Sequence, residues 1–325
     1  MLYNLIDSDK RSFNMTQGKA LRLILKFAIP IVLGNILQNI YTLVDTAIVG
    51  KTIGSDALAA VGATGAIMML IFGISAGLMS GFAVIAAKKV GEMDFEGLKK
   101  TYANGLILTI AISLVLTVAG VVFAKDILRL IDTPADIIDE STGYLEIIFA
   151  GISTTLLYNF TAEMMRAVGN SKRPFVYLVI ASILNIILDI WFIAGFGWGV
   201  RGAAAATILA QAISAILGFV YIARSVDYYK FSIKRLEPDK KIMMECLRIG
   251  MPSALLNGVI FLGTIIMQYV TNGFGTEHVA AYSGANTMSN FLLCSIYAVS
   301  SAFSVFVSQN YGACRLDRIK KVSEM

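Results

Sequence analysis

The chain has 325 residues, of which 57% are apolar and 15% charged, with a mean hydropathy of +0.72 and a net charge of +5. A soluble domain carries about 25% charged residues, so this composition excludes a water-soluble enzyme, a disordered regulator and a disulfide scaffold. It leaves an integral membrane protein. The basic residues lie between apolar runs, where topology rather than nucleic acid accounts for them. Cys246, Cys294 and Cys314 are an odd number without metal-ligand spacing and frame no disulfide set. Asp7 and Asp9 interrupt a basic n-region, and the first apolar run is too long for a secretory signal.

A spanning helix needs about 20 mostly apolar residues, because each backbone polar group in lipid must be satisfied within its own segment. Eight stretches qualify: 27–49, 57–87, 102–124, 143–165, 175–197, 202–223, 249–271 and 279–307. The expected fold class is all-α and polytopic, since a barrel would show alternating segments of roughly ten residues. With the N-terminus inside, the inner segments hold 23 of the 27 Lys and Arg residues. The outer loops hold only Lys51, Lys125, Arg129 and Arg201. Both termini are therefore expected in the cytoplasm of a cell that keeps this chain in its inner membrane.

Taken in chain order, the first span carries a polar stripe, Gln38, Tyr41 and Asp45, at intervals of about one turn. The second has Gly73, Gly77 and Gly81 four residues apart, a pattern of close helix approach. It also spells Gly73-Ile-Ser75-Ala-Gly77, which a serine hydrolase shares, but that chemistry needs a base beside the serine. The one histidine, His278, falls at the outer edge of the eighth span. In the fourth span Glu146 and Glu163 sit near the two ends, Glu163 one turn from Arg166, and both read as structural or topological. Asp189 in the fifth span shares a helix face with Asn185, and Thr207 follows in the sixth across a glycine-rich turn.

Asp45 and Asp189 are flanked by uncharged helix with no basic residue within a turn. A carboxylate so placed faces a wet cavity, binds a cation or hydrogen-bonds a neighbouring helix in neutral form. Oxygen ligands of this kind suit a proton or a small hard cation; no Cys/His cluster suggests a transition metal, and no cofactor is expected.

The sequence repeats itself. Gly54-Ser-Asp-Ala-Leu-Ala-Ala60 recurs as Gly275-Thr-Glu-His-Val-Ala-Ala281, an offset of 221. Ser80, Phe82, Val84, Gly91, Lys99 and Lys100 meet Ser301, Phe303, Val305, Gly312, Lys320 and Lys321 at that offset, and Pro30 and Asn35 meet Pro252 and Asn257 one residue out of step. A six-helix unit thus starts again in the same orientation. The expected organisation is a cytoplasmic tail (1–26), a six-span N-lobe (27–226), a cytoplasmic linker (227–248) and two spans of a C-lobe (249–325). A fragment and a natural truncation both fit that early stop.

Three stretches carry a resemblance: Gln38-Asn-Ile-Tyr41-Thr-Leu-Val-Asp45-Thr-Ala-Ile-Val-Gly50, Met165-Arg166-Ala-Val-Gly169-Asn-Ser-Lys-Arg-Pro174, and Asn185-Ile-Ile-Leu-Asp189 continuing to Gly199-Val-Arg-Gly202-Ala-Ala-Ala-Ala-Thr207. With them the chain resembles the multidrug and toxic compound extrusion (MATE) family. The resemblance implies two six-helix lobes around a central cavity and export of cationic amphipathic compounds in exchange for H⁺ or Na⁺. It further implies a cation-coupling cluster of Asp45, Asp189, Asn185, Tyr41 and Thr207, with Na⁺ possible at Asp45, Asp189 and Asn185. Gln38 and Asn159 are weaker carry-overs as substrate-cavity residues. Some members of the family instead use an acid on the seventh span, and this sequence has none between 249 and 271, so coupling is expected in the N-lobe alone. The expected partners are the lipid bilayer and small cationic substrates, for a monomeric chain and without nucleic acid. The rivals are a lipid-linked sugar flippase, which would line its cavity with Lys or Arg that these spans lack, a membrane-embedded enzyme, and a non-transporting remnant.

Overall fold

The computed structural model describes residues 15–225, 238–272, 274 and 276–324. Among them are ten α-helices: α1 (Ala20–Thr52), α2 (Ser55–Gly91), α3 (Phe95–Leu130), α4 (Ile138–Ala150), α5 (Ile152–Ala167), α6 (Lys172–Asp189), α7 (Gly199–Ser225), α8 (Lys240–Asn272), α9 (Thr276–Gly312) and α10 (Leu316–Ser323). A π-helical turn, Ile190–Gly195, extends α6. No strand occurs among the described residues.

Seven helices are long and apolar enough to cross a membrane, and α4 with α5 makes an eighth span bent by 47°. The protein is a multi-pass membrane protein. The helices overrun their apolar stretches because hydropathy marks only the hydrocarbon portion: α1, at 33 residues, is about 50 Å long against a core of about 30 Å. For the same reason α8 already begins at Lys240 inside the stretch expected to be linker, and α1 at Ala20 inside the expected tail. Residues 1–14 of the tail and 227–237 of the linker lie outside the described residues.

The bend in the fourth span was not signalled by proline. It falls at Gly151, where an added Cβ would stand 2.3 Å from the side chain of Ile208 on α7. Glycine is a weak helix former, and here it also admits the close approach of α7.

The internal repeat is present in three dimensions. The α2–α3 turn is closed by backbone bonds Glu92 N–H to Lys88 O (2.9 Å), Met93 N–H to Val90 O (3.1 Å) and Asp94 N–H to Lys89 O (3.0 Å). The α9–α10 turn has the same three at the offset of 221: Ala313 to Gln309 (3.0 Å), Cys314 to Tyr311 (3.1 Å) and Arg315 to Asn310 (2.8 Å). Met93 (φ 58°) and Cys314 (φ 56°) occupy the same left-handed conformation.

The last two spans pack on the first six through small residues. A Cβ at Gly77 would meet the Ala254 backbone nitrogen at 2.4 Å, and one at Gly81 the Cys246 carbonyl oxygen at 2.4 Å, so α2 and α8 touch backbone to backbone. Asn257 Nδ2 donates to Gly73 O across that contact (2.9 Å). Its repeat counterpart, Asn35 Nδ2, donates to Cys294 O across the α1–α9 contact (3.3 Å). A buried core of Phe27, Phe82, Leu98, Phe160, Met164 and Phe306 joins both groups at the end bearing Lys88, Lys99, Lys172 and Lys320, called here the basic end. Away from it the last two spans stand clear. Every residue from Leu262 to Met267 is exposed, so no face of α8 is covered there. Met288, Leu292 and Ile296 of α9 are exposed as well.

Candidate functional site

Asp45 and Asp189 come together inside the first six spans. Asp45 projects from α1 about two turns before its C-terminal end, and Asp189 is the last residue of α6, where the helix passes into its π-helical turn. Such turns displace the backbone and are frequent at functional sites. Asp189 is fully buried, Asp45 is 8% exposed and Asn185 2% exposed. The two carboxyl groups are electrostatic neighbours, and the phenols of Tyr41 and Tyr144 are near enough to feel them.

What sets the pair apart is the partners they do not have. Asp45 Oδ1 and both carboxyl oxygens of Asp189 have no hydrogen-bond partner among the described residues, nor do Asn185 Oδ1 and Gln211 Oε1. Buried polar oxygens without donors are costly, more so where lipid replaces water, and such groups mark sites that receive a proton, an ion or a water. The acids elsewhere behave differently. Glu163 is paired with Arg166 on the same helix, and Glu146 is exposed.

Asn185 ties the pair to α7 by donating from Nδ2 to Thr207 Oγ1 (3.4 Å). Beside it lies a cavity of about 10 Å³ between α1, α6 and α7, whose polar lining is Tyr41, Ser182, Asn185, Thr207 and Gln211. That is room for roughly one water, so it suits a small ion or a water and not a drug molecule.

The structure thus brings together Asp45, Asp189, Asn185, Tyr41 and Thr207. Gln38 is exposed, and Asn159 is half-buried on α5; neither lines this cavity. Gln211, Ser182 and Tyr144 went unread in the sequence. Gln211 lies four residues beyond Thr207 and Ser182 three before Asn185, so helical spacing from the known positions would have found both. Tyr144 had no such signal, because it reaches the pair from α4. Ser75, the candidate nucleophile of the Gly-x-Ser-x-Gly stretch, is buried and donates its hydroxyl to Ile71 O in its own helix (2.7 Å).

The MatE family model matches residues 30–191 and 252–324, two segments that begin at Pro30 and Pro252, which the internal repeat pairs. The chain is 30% identical over 303 residues to the probable multidrug resistance protein YoeA of Bacillus subtilis (strain 168), covering 91% of this chain and 65% of that protein. It is 21% identical over 274 residues to the multidrug export protein MepA of Staphylococcus aureus (strain MRSA252), covering 84% of this chain and 61% of that protein. The chain therefore spans somewhat less than two thirds of the length of these relatives. Among solved structures, MATE in the bent conformation superposes with a TM-score of 0.89 at 24% identity, over 96% of this chain and 70% of that one. MATE in the straight conformation gives 0.88 at 25% identity, over 96% and 70%. The family match, the repeat and the fold agree: the chain belongs to the MatE family of multidrug and toxic compound extrusion.

Proposed function

We propose that this chain belongs to a multidrug efflux transporter and carries its ion-coupling site, exchanging cationic amphipathic compounds for H⁺ or Na⁺ by alternating access. The observation that carries the reading is the Asp45–Asp189 pair, buried, close enough to interact and without a basic partner among the described residues. Two carboxyls so placed hold a shared proton or a monovalent cation more readily than two bare charges. Moving one monovalent cation out against an inside-negative potential costs about 2.3 kcal/mol per 100 mV, and a returning cation offsets it. Coupling then requires only that drug affinity differ between the loaded and empty pair.

The names of YoeA and MepA support the substrate class. The basic end is assigned to the cytoplasm of a bacterial inner membrane, with both termini inside and the chain monomeric. Labelling of Lys51→Cys but not Lys100→Cys by an impermeant maleimide on intact cells is the expected result, and the reverse would invert the topology. A pyrophosphate-linked substrate is disfavoured because no Lys or Arg occurs within the eight apolar stretches.

The test is ethidium efflux from energised cells. The wild-type chain is expected to export the dye, and Asp45→Asn and Asp189→Asn to lose that export. Unchanged efflux in both variants removes the coupling assignment, and no efflux by wild type leaves the non-transporting reading.

A further inference from the structure

The α2–α3 and α9–α10 turns share their backbone hydrogen bonds, yet their side chains differ at two positions. In the first copy Lys88 and Lys89 stand near the surface and pair with Glu92 and Asp94. In the second the same positions hold Gln309 and Asn310, both fully buried. The turn forms with lysines as well as with amides, so the amides serve something other than the turn.

They hold the non-helical segment that precedes α1. Met15 is fully buried although it lies outside any helix. Its N–H donates to Gln309 Oε1 (3.0 Å), and its carbonyl accepts from Asn310 Nδ2 (3.2 Å) and Arg318 Nη2 (3.3 Å). Gln309 spends its other end on a different element, donating from Nε2 to Ala167 O at the end of α5 (2.8 Å). Asn310 Oδ1 accepts from Arg318 Nε (2.9 Å), and the guanidinium lies over the Phe306 ring (5.6 Å). One glutamine therefore joins the leading segment, the first six spans and the last two spans at the basic end.

We infer that the strap Met15–Lys19, held by Gln309, Asn310 and Arg318, is a latch that keeps the basic end of the interface closed and must release before that end opens. The inference rests on the alternating-access reading above, because a releasable closure has a use only in a protein that opens there. Its chemistry suits release. The contacts are side-chain hydrogen bonds, each of small net worth once opening lets water replace it, unlike the backbone packing of α2 on α8.

Cys246 supplies a reporter. It is buried on α8 in the basic half of the interface, with its carbonyl against Gly81. With Cys294→Ser and Cys314→Gly, it is the one thiol left in the full chain. Its maleimide labelling rate in membranes then follows the open population. Gln309→Leu is expected to raise that rate by roughly tenfold, the scale of its two lost hydrogen bonds, and removal of residues 1–18, which loses the three made by Met15, by at least as much. Lys320→Met, on the exposed face of α10, is expected to leave it unchanged. Melting of each variant is followed alongside, and a variant that loses its transition is read through the other. Faster labelling with a retained transition supports the latch. Unchanged labelling overturns it, whatever the efflux result. Faster labelling in a chain whose wild type exports no dye supports the latch and overturns the transport reading instead.

Discussion

Gly91 and Gly312 face each other across the basic end, and each is pinned by the backbone of the other's helix. A Cβ on Gly91 would stand 2.0 Å from Gln309 O, and one on Gly312 would stand 2.1 Å from Lys88 O. Lys88 and Gln309 are themselves 221 residues apart, as are the two glycines, so the contact maps onto itself when the repeat is exchanged. The hydrogen bonds of Asn35 to Cys294 and of Asn257 to Gly73 do the same. A two-fold relation between the repeats thus runs through this contact, and the sequence repeat is a symmetry of the packing.

That reciprocity makes the two glycines equivalent in cost. Gly91→Ala and Gly312→Ala each push a methyl into a carbonyl that belongs to a helix backbone and cannot swing aside. Each is expected to destabilise by about 1–3 kcal/mol, the range for overpacking, and by similar amounts. Gly62→Ala, where a Cβ meets nothing within 4 Å, is expected to be neutral or slightly stabilising. Thermal unfolding in detergent compares the three, and a tolerated Gly91→Ala beside a damaging Gly312→Ala would contradict the symmetry.

The α2–α3 turn has a second testable feature outside the membrane. Asp94 caps α3 by accepting from Gly97 N–H (2.8 Å) and is bonded by Lys89 Nζ (2.9 Å). The lysine first, then the amide, hold its carboxyl below the usual carboxylate range. A depressed value means that the cap contributes fully above the unfolded value, about pH 4, and loses its contribution as pH falls through the lower folded value. Asp94→Ala is expected to cost about 1 kcal/mol at neutral pH. The gap in melting temperature between wild type and variant should narrow below pH 4; a gap that persists in acid would assign the loss to packing instead of the cap.

The spans and the repeat were legible because bilayer thickness and symmetry both leave a mark on sequence, the first as apolar length and the second as recurrence. The carboxylate pair was legible for a related reason: an acid without a basic neighbour inside an apolar helix has few structural uses. What escaped reading depends on a partner distant in sequence. Ile208 comes against Gly151 at the bend of the fourth span, and nothing within 143–165 names that partner. Met15 is held by Gln309 and Asn310, nearly 300 residues away, whereas the same stretch read alone is only a cytoplasmic tail. The π-helical turn after Asp189 likewise has no local signature, since its sequence, Ile190–Gly195, continues the apolar run.

The proximity of Asp45 and Asp189 predicts how their mutations combine. If one shared proton or cation is held between them, removing either carboxyl already abolishes the site, and removing the second finds nothing left to remove. Asp45→Asn and Asp189→Asn are each expected to cut efflux severely, with the double variant no worse than the poorer single. The double should then fall short of the sum of the singles by on the order of 1–3 kcal/mol, as for groups that act as a unit. Tyr144→Phe removes only the phenolic hydroxyl beside the pair and is expected to weaken efflux without abolishing it. Initial rates of dye export, taken at matched expression, give all four values. Additive losses for the two aspartates would mean that each carboxyl handles its own ion, and the shared-site mechanism would have to be given up.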